Sequence, residues 1–162
     1  MDLSADNIMS CPVVSVSQAT TVRELMGVLN NKHISGVPVV DEGGDLVGVV
    51  SITDLLSFGV NLDSSGNEHS VSDFHTSPAM DGLAQINSLL EPNTDVMDHP
   101  IQSLMSPNVV TAEERTPIGE LADILVSRKI HRLVIVRNKK AVGIVSVGDI
   151  LRALRDNHYQ GA

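Results

Sequence analysis

One pattern occurs twice in this chain. Gly48-Val49-Val50-Ser51-Ile52-Thr53-Asp54 recurs as Gly143-Ile144-Val145-Ser146-Val147-Gly148-Asp149, and the match extends upstream in register. Met9-Ser10 aligns with Met105-Ser106, Val13-Val14-Ser15 with Val109-Val110-Thr111, and Thr20 with Thr116. Val22, Leu25 and Leu29 meet Ile118, Leu121 and Leu125, while Val37-Pro38-Val39-Val40 meets Leu133-Val134-Ile135-Val136. The second copy loses one residue where Arg137-Asn138-Lys139-Lys140 replaces Asp41-Glu42-Gly43-Gly44-Asp45. A loop is where such a deletion is tolerated. A repeat of this length means two copies of one supersecondary unit, which constrains the fold more than any composition does.

Each copy reads as the same order of elements. A short apolar strand at 13–16 precedes a helix whose Val22, Leu25, Met26 and Leu29 share one face at three- and four-residue spacing. Thr21 and Glu24 offer that helix a capping box. In the second copy Thr116 is expected to cap, with Pro117 in the first helical position, where no backbone donor is needed. Two β-branched runs, 37–40 and Leu46–Ser51, form a hairpin across an acidic Gly-Gly turn. A second helix starts near Asp54 or Asp149. The expected fold is α/β (α+β), with two pseudo-symmetric β-α-β-β-α repeats at 1–58 and 104–162. A unit of roughly 50 residues cannot bury enough apolar surface alone, so the copies are expected to pack sheet to sheet. Between them, residues 59–103 are a polar insert with a short amphipathic helix near 79–90. Ordinary connections take roughly 4 to 6 residues, and far longer ones are functional or disordered.

Charge divides the copies. The net charge of −9 splits into −12 over residues 1–103, where Arg23 and Lys32 are the cations, and +3 over residues 104–162. Overall acidity, with no Trp, one Tyr and two Phe, disfavours nucleic-acid binding, which needs a basic face and aromatic platforms. A small anion near the second copy suits the distribution. No apolar run approaches the roughly 20 residues of a membrane span, and no basic leader precedes an apolar stretch. The single Cys11 cannot form an internal disulfide, and a cytoplasmic location is expected.

A tandem strand, helix, two-strand, helix unit ending in Gly-h-h-Ser/Thr-x-x-Asp, h being apolar, resembles the cystathionine β-synthase (CBS) domain, found in pairs as the Bateman module. The resemblance covers 8–58 and 104–155. It is carried by two such endings, two Val-Val-Ser/Thr strands, and Ile-x-x-Val-Pro-Val-Val or Ile-His-Arg-Leu-Val-Ile-Val before each hairpin. It implies a non-catalytic regulatory module that binds AMP, ADP, ATP or S-adenosylmethionine in the cleft between its repeats, with no cofactor. Such a module responds by changing conformation or assembly, pairs as a homodimer through its helices, and acts on a regulated protein.

By position, the resemblance implies that Asp149 holds the ribose hydroxyls, that Ser146 donates to ribose or phosphate, and that Val110, Thr111 and Ala112 line the adenine. Arg132 would meet phosphate with Lys129, His131 and Leu133 nearby. The first copy offers Val14, Ser15, Val16, Gly36, Val37, Pro38, Ser51, Thr53 and Asp54. It is expected to be the weaker site, because Ser35-Gly36 stands where the second copy has His131-Arg132. A carboxylate suits vicinal hydroxyls and a guanidinium suits phosphate, and a helix start favours an anion.

Plainer readings stand beside these. Asp54 and Asp149 are also good helix caps, Ser51 and Ser146 can satisfy nearby amides, and Gly48 and Gly143 can simply allow close packing of strands. Arg132 can also be read as a surface cation. A ligand-independent dimerisation or docking module is the alternative function. His69, His75 and His99 lie in the insert with Asp73, Asp81, Asp95 and Asp98, but their spacing matches no zinc pair, so no metal is expected. Cys11 has no basic neighbour to activate it, no Gly-rich loop fits a P-loop, and no catalytic residue is assigned.

Overall fold

The repeat resolves into two three-stranded sheets with the same internal order, in a computed structural model that describes residues 3–60, 73–76 and 94–159. Along the chain run α1 (Ala5–Ile8), β1 (Val16–Ser17), α2 (Val22–Lys32), β2 (Gly36–Val40), β3 (Leu46–Ser51), α3 (Ile52–Val60), α4 (Asp73–Thr76) and α5 (Thr94–Met97). A 3-10 turn at Ile101–Ser103 follows, then β4 (Thr111–Glu113), α6 (Ile118–Arg128), β5 (Arg132–Arg137), β6 (Lys140–Ser146) and α7 (Val147–Tyr159). In each sheet the first strand is parallel to the second and the second antiparallel to the third. Val39 lies opposite Gly48 and Ile135 opposite Gly143, and both hairpins shift register at the next residue. The expected β-α-β-β-α order is present in both copies.

Local chemistry explains most boundaries. Thr21 and Glu24 do form the capping box of α2, with the Glu24 amide donating to Thr21 Oγ1 at 3.2 Å and the Thr21 amide to Glu24 Oε2 at 2.9 Å. The second hairpin turns through Asn138 and Lys139, both left-handed at φ 50° and 65°, as a two-residue turn of this hand demands. The first turn uses Gly44 at φ 81°, with Asp41 Oδ1 accepting the Asp45 amide at 2.9 Å.

Two expectations are corrected. The first strand is Val16–Ser17 rather than 13–16, because only these residues run alongside Val39 and Val40; Val14 packs on the core from outside the ladder. Pro117 is the N-cap of α6 rather than its first residue, and no side chain caps that end. The Ile118 amide needs no such cap, since it donates to the Leu3 carbonyl at 2.8 Å.

That bond is one of a matched set. Leu3 O accepts from Ile118, Ala5 donates to Thr116 O at 2.9 Å, and Ser10 pairs with Ile144. At the aligned places His99 O accepts from Val22, Ile101 donates to Thr20 O at 2.8 Å, and Ser106 pairs with Val49. The segment preceding each repeat therefore docks on the other repeat. The chain accordingly divides into two compact units, Val14–Val109 and Met1–Val13 with Val110–Ala162, rather than into contiguous halves.

In the first unit Val22, Leu25, Leu29, Val37, Val39, Val50, Ile52 and Leu55 form the core with Val96, Met97 and Ile101. In the second, Ala5 joins Leu121, Leu125, Ile130, Leu133, Ile135 and Val145. Each fully buried side chain of this size contributes ~1.5–3 kcal/mol relative to exposure. The insert adds α4, which packs against β3 and α3 and buries Phe74 and His75 completely, their rings edge to face at 5.0 Å. The helix expected near 79–90 lies outside the described residues, as do His69 and Asp81.

Candidate functional site

Strand direction gathers the sequence-picked residues. Because β4 and β5 are parallel and β6 returns antiparallel, the starts of β4 and β5 and the end of β6 share one edge of the sheet. Val110, Thr111, Arg132, Ser146 and Asp149 therefore meet there. Arg132 lies opposite Ser146, and α7 begins at once after β6, its Val147 amide donating to the His131 carbonyl at 2.9 Å. Thr111 and His131 are exposed and Val110 is half-buried, whereas Leu133 and Ala112 are buried in the core and can offer a ligand only main-chain groups. Lys129 is the exposed left-handed C-cap of α6. The first copy repeats the arrangement, with Gly36 opposite Ser51. There Ser15 is exposed, Val14, Thr53 and Asp54 are half-buried, and Val16, Gly36, Val37, Pro38 and Ser51 are buried.

The repeated Ser-x-x-Asp is a reciprocal helix cap in both copies. Asp149 Oδ2 accepts the Ser146 amide at 2.8 Å and the Ser146 hydroxyl at 2.7 Å, while the Asp149 amide approaches Ser146 Oγ at 3.3 Å. Asp54 and Ser51 do the same at 2.7, 3.0 and 3.4 Å. The capping reading is thus correct for both aspartates, and it commits one carboxylate oxygen of each. On Asp149 the other oxygen, Oδ1, accepts from Arg152 Nη1 at 3.0 Å. The Asp149 side chain is 9% exposed and that of Arg152 is 61% exposed.

Arg132 is not a surface cation. Its guanidinium is desolvated by burial, which lowers its pKa to about 10. The side chain is half-buried at the sheet edge where β5 begins. Elsewhere in the second copy, Arg137 Nη2 lies 2.6 Å from Glu114 Oε2, and Arg155 Nη2 lies 2.7 Å from Asp156 Oδ1.

A cleft of about 320 Å³ opens beside Asp149, lined by Leu3, Asn7, Ile8, Arg152, Ala153, Asp156 and Asn157. Its α7 residues recur at three- and four-residue spacing, so they form one helical face turned toward α1. Of the residues chosen from sequence, it contains Asp149. Arg152 was legible as a helical neighbour of Asp149, but nothing local ties Asn7 or Ile8 to α7. Glycine has a different role from the strand packing expected. A β-carbon on Gly48 would fall 2.8 Å from the Ser106 carbonyl oxygen, and one on Gly143 would fall 2.7 Å from Met9 Cγ. Both glycines admit the exchanged segment. Among the described residues no group of three His, Cys, Asp or Glu side chains could hold a metal ion, and no helix is long and apolar enough to cross a membrane.

Two β-α-β-β-α units, each with a Ser-x-x-Asp cap at the sheet edge, define a tandem α/β repeat protein. The CBS domain pattern matches residues 5–61 and 101–156, and the chain belongs to the CBS domain family. It is 33% identical over 140 residues to CBSX1, a chloroplastic CBS domain-containing protein of Arabidopsis thaliana, covering 85% of this chain and 57% of that protein. The chain thus spans little more than half of that relative. Its fold matches the crystal structure of CBSX2 in complex with AMP, with TM-score 0.66, 24% identity, and 96% and 98% of the two chains covered. It also matches the CBS domain pair of protein MJ0100 in complex with 5′-methylthioadenosine and S-adenosyl-L-methionine, with TM-score 0.64, 22% identity, and 97% and 99% covered.

Proposed function

We propose that this chain is a non-catalytic regulatory module that binds an adenine nucleotide or adenosyl ligand at the second-copy sheet edge and answers with a change of conformation or assembly. The observation that carries the reading is the half-buried, desolvated Arg132 set opposite Ser146, which itself holds Asp149. Ribose hydroxyls would donate to Asp149, and phosphate would pair with Arg132 through its planar fork. Val110 and Thr111 would line the base. The relatives solved with AMP, 5′-methylthioadenosine and S-adenosyl-L-methionine support that ligand class. The first copy, with Gly36 in place of Arg132, is the weaker site.

Assembly as a homodimer is supported by exposed large apolar side chains on two helices, Val126 on α6 and Leu151 and Leu154 on α7, at 78%, 60% and 45%. Exposed apolar surface is what an interaction face would cover. A monomer in light scattering, with and without nucleotide, would remove this part.

Calorimetry with AMP, ADP, ATP and S-adenosylmethionine tests the main reading. Saturable binding of at least one, lost or strongly weakened in Asp149→Ala, is expected. No binding of any at near-millimolar concentration refutes it. The alternative, ligand-independent docking, would then account for the exposed helical face.

A further inference from the structure

Resting on the ribose assignment just made, Arg152 adds to the site a second cation beside Arg132, one that the sequence-chosen residues do not include. Asp149 has two carboxylate oxygens. Oδ2 is spent on the cap, taking both the amide and the hydroxyl of Ser146. Oδ1 is the oxygen left for a ribose, and in this structure Arg152 Nη1 holds it at 3.0 Å. A plain (i, i+3) surface pair would account for that geometry if Asp149 were exposed. It is instead nine-tenths buried at the end of a cleft of about 320 Å³ that Arg152 also lines. The aligned position in the first copy is Ser57, so the feature belongs to one site only.

We infer that Arg152 is a specificity-determining residue, which steadies the ribose-accepting oxygen of Asp149 and pairs with the 5′-phosphate when a nucleotide binds. Oδ1 keeps a second acceptor site beside Arg152, as Oδ2 shows by taking two bonds, so a neutral nucleoside can bind there but gives the guanidinium no further partner. A nucleoside 5′-phosphate binds the same oxygen and brings the guanidinium a second anion. A sulfonium ligand brings a second cation to the same place. The site therefore selects nucleoside 5′-phosphates over adenosine and over S-adenosylmethionine.

The test is calorimetry of AMP and adenosine with the wild type, Arg152→Ala and Arg152→Lys. Arg152 is largely exposed, so neither substitution threatens folding. Arg152→Ala is expected to weaken AMP about tenfold, the worth of one charge-assisted hydrogen bond, and to leave adenosine nearly unchanged. Arg152→Lys should keep part of the preference for AMP. If AMP and adenosine change by the same factor, or neither changes, Arg152 does not select, and the ribose reading stands. If the wild type and Arg152→Ala bind neither ligand, both this inference and the ribose reading fall.

Discussion

Met9 lies so close to Gly143 that a β-carbon added there would fall 2.7 Å from its Cγ and 2.9 Å from its Cβ. The aligned pair, Met105 and Gly48, differs in one respect. There the obstacle nearest to an added β-carbon is the Ser106 carbonyl oxygen at 2.8 Å, with Met105 Sδ at 3.0 Å. In both units the approaching segment comes from the linker before the other repeat, and it is held by paired backbone bonds, Ser10 with Ile144 and Ser106 with Val49.

The two glycines should therefore respond differently to rescue. Gly143→Ala and Gly48→Ala are each expected to cost about 1–3 kcal/mol, the usual penalty of overpacking. Adding Met9→Ala removes the Cγ and Sδ clashes at Gly143 and should recover part of that loss. Adding Met105→Ala leaves the Ser106 carbonyl in place and should recover little at Gly48. Urea unfolding of the two double-mutant cycles checks this, and equal coupling energies in both cycles would contradict it.

Helix starts offer a second contrast. Thr21→Ala removes a reciprocal cap and should cost ~1 kcal/mol. Thr116→Ala should cost a few tenths of that, because the Thr116 side chain caps nothing and the Ile118 amide is satisfied by Leu3. Comparable losses in thermal unfolding would show that the docking of residues 3–10 is weaker than its bonds suggest.

Legibility followed locality. The repeat, the hairpins, the capping box of α2 and the Ser-x-x-Asp turns were all readable, because each depends on residues a few positions apart. The exchange of segments was not. Met9 and Gly143 are neighbours through the fold alone, so nothing in sequence spacing assigns Gly143 its task or brings Asn7 and Ile8 to the cleft beside Asp149. Arg132 was ambiguous for a related reason. Its sequence surroundings are rich in exposed cations, and only its place at the start of β5, opposite Ser146, partly buries it.

At Asp149, capping and ligand binding can be separated by chemistry. Asparagine retains an oxygen able to cap, so Asp149→Asn should cost less than 1 kcal/mol in stability. It loses the charge that strengthens hydrogen bonds from ribose hydroxyls, and AMP affinity should fall about 10- to 100-fold. Calorimetry beside thermal unfolding measures both quantities. A variant with unaltered AMP affinity would confine Asp149 to its helix-capping role.

Arg132 should trade stability for binding. Its pKa is about 10 in the folded chain, below that of an ordinary arginine, with desolvation as the cause. A cation whose pKa is depressed by folding opposes folding while it stays charged. The penalty is full below about pH 10 and fades as pH rises above it. Arg132→Met, which keeps much of the side-chain volume without the charge, is therefore expected to be more stable than the wild type by about 1–3 kcal/mol at neutral pH. The difference should narrow in alkaline solution, where the wild-type guanidinium can release its proton. In the proposed site a phosphate would compensate the same buried charge, so AMP should raise the Tm of the wild type and leave that of Arg132→Met nearly unchanged. Thermal unfolding of both proteins at pH 7 and pH 10.5, with and without AMP, measures each term. A variant less stable than the wild type at neutral pH would mean that the contacts of Arg132 outweigh its desolvation.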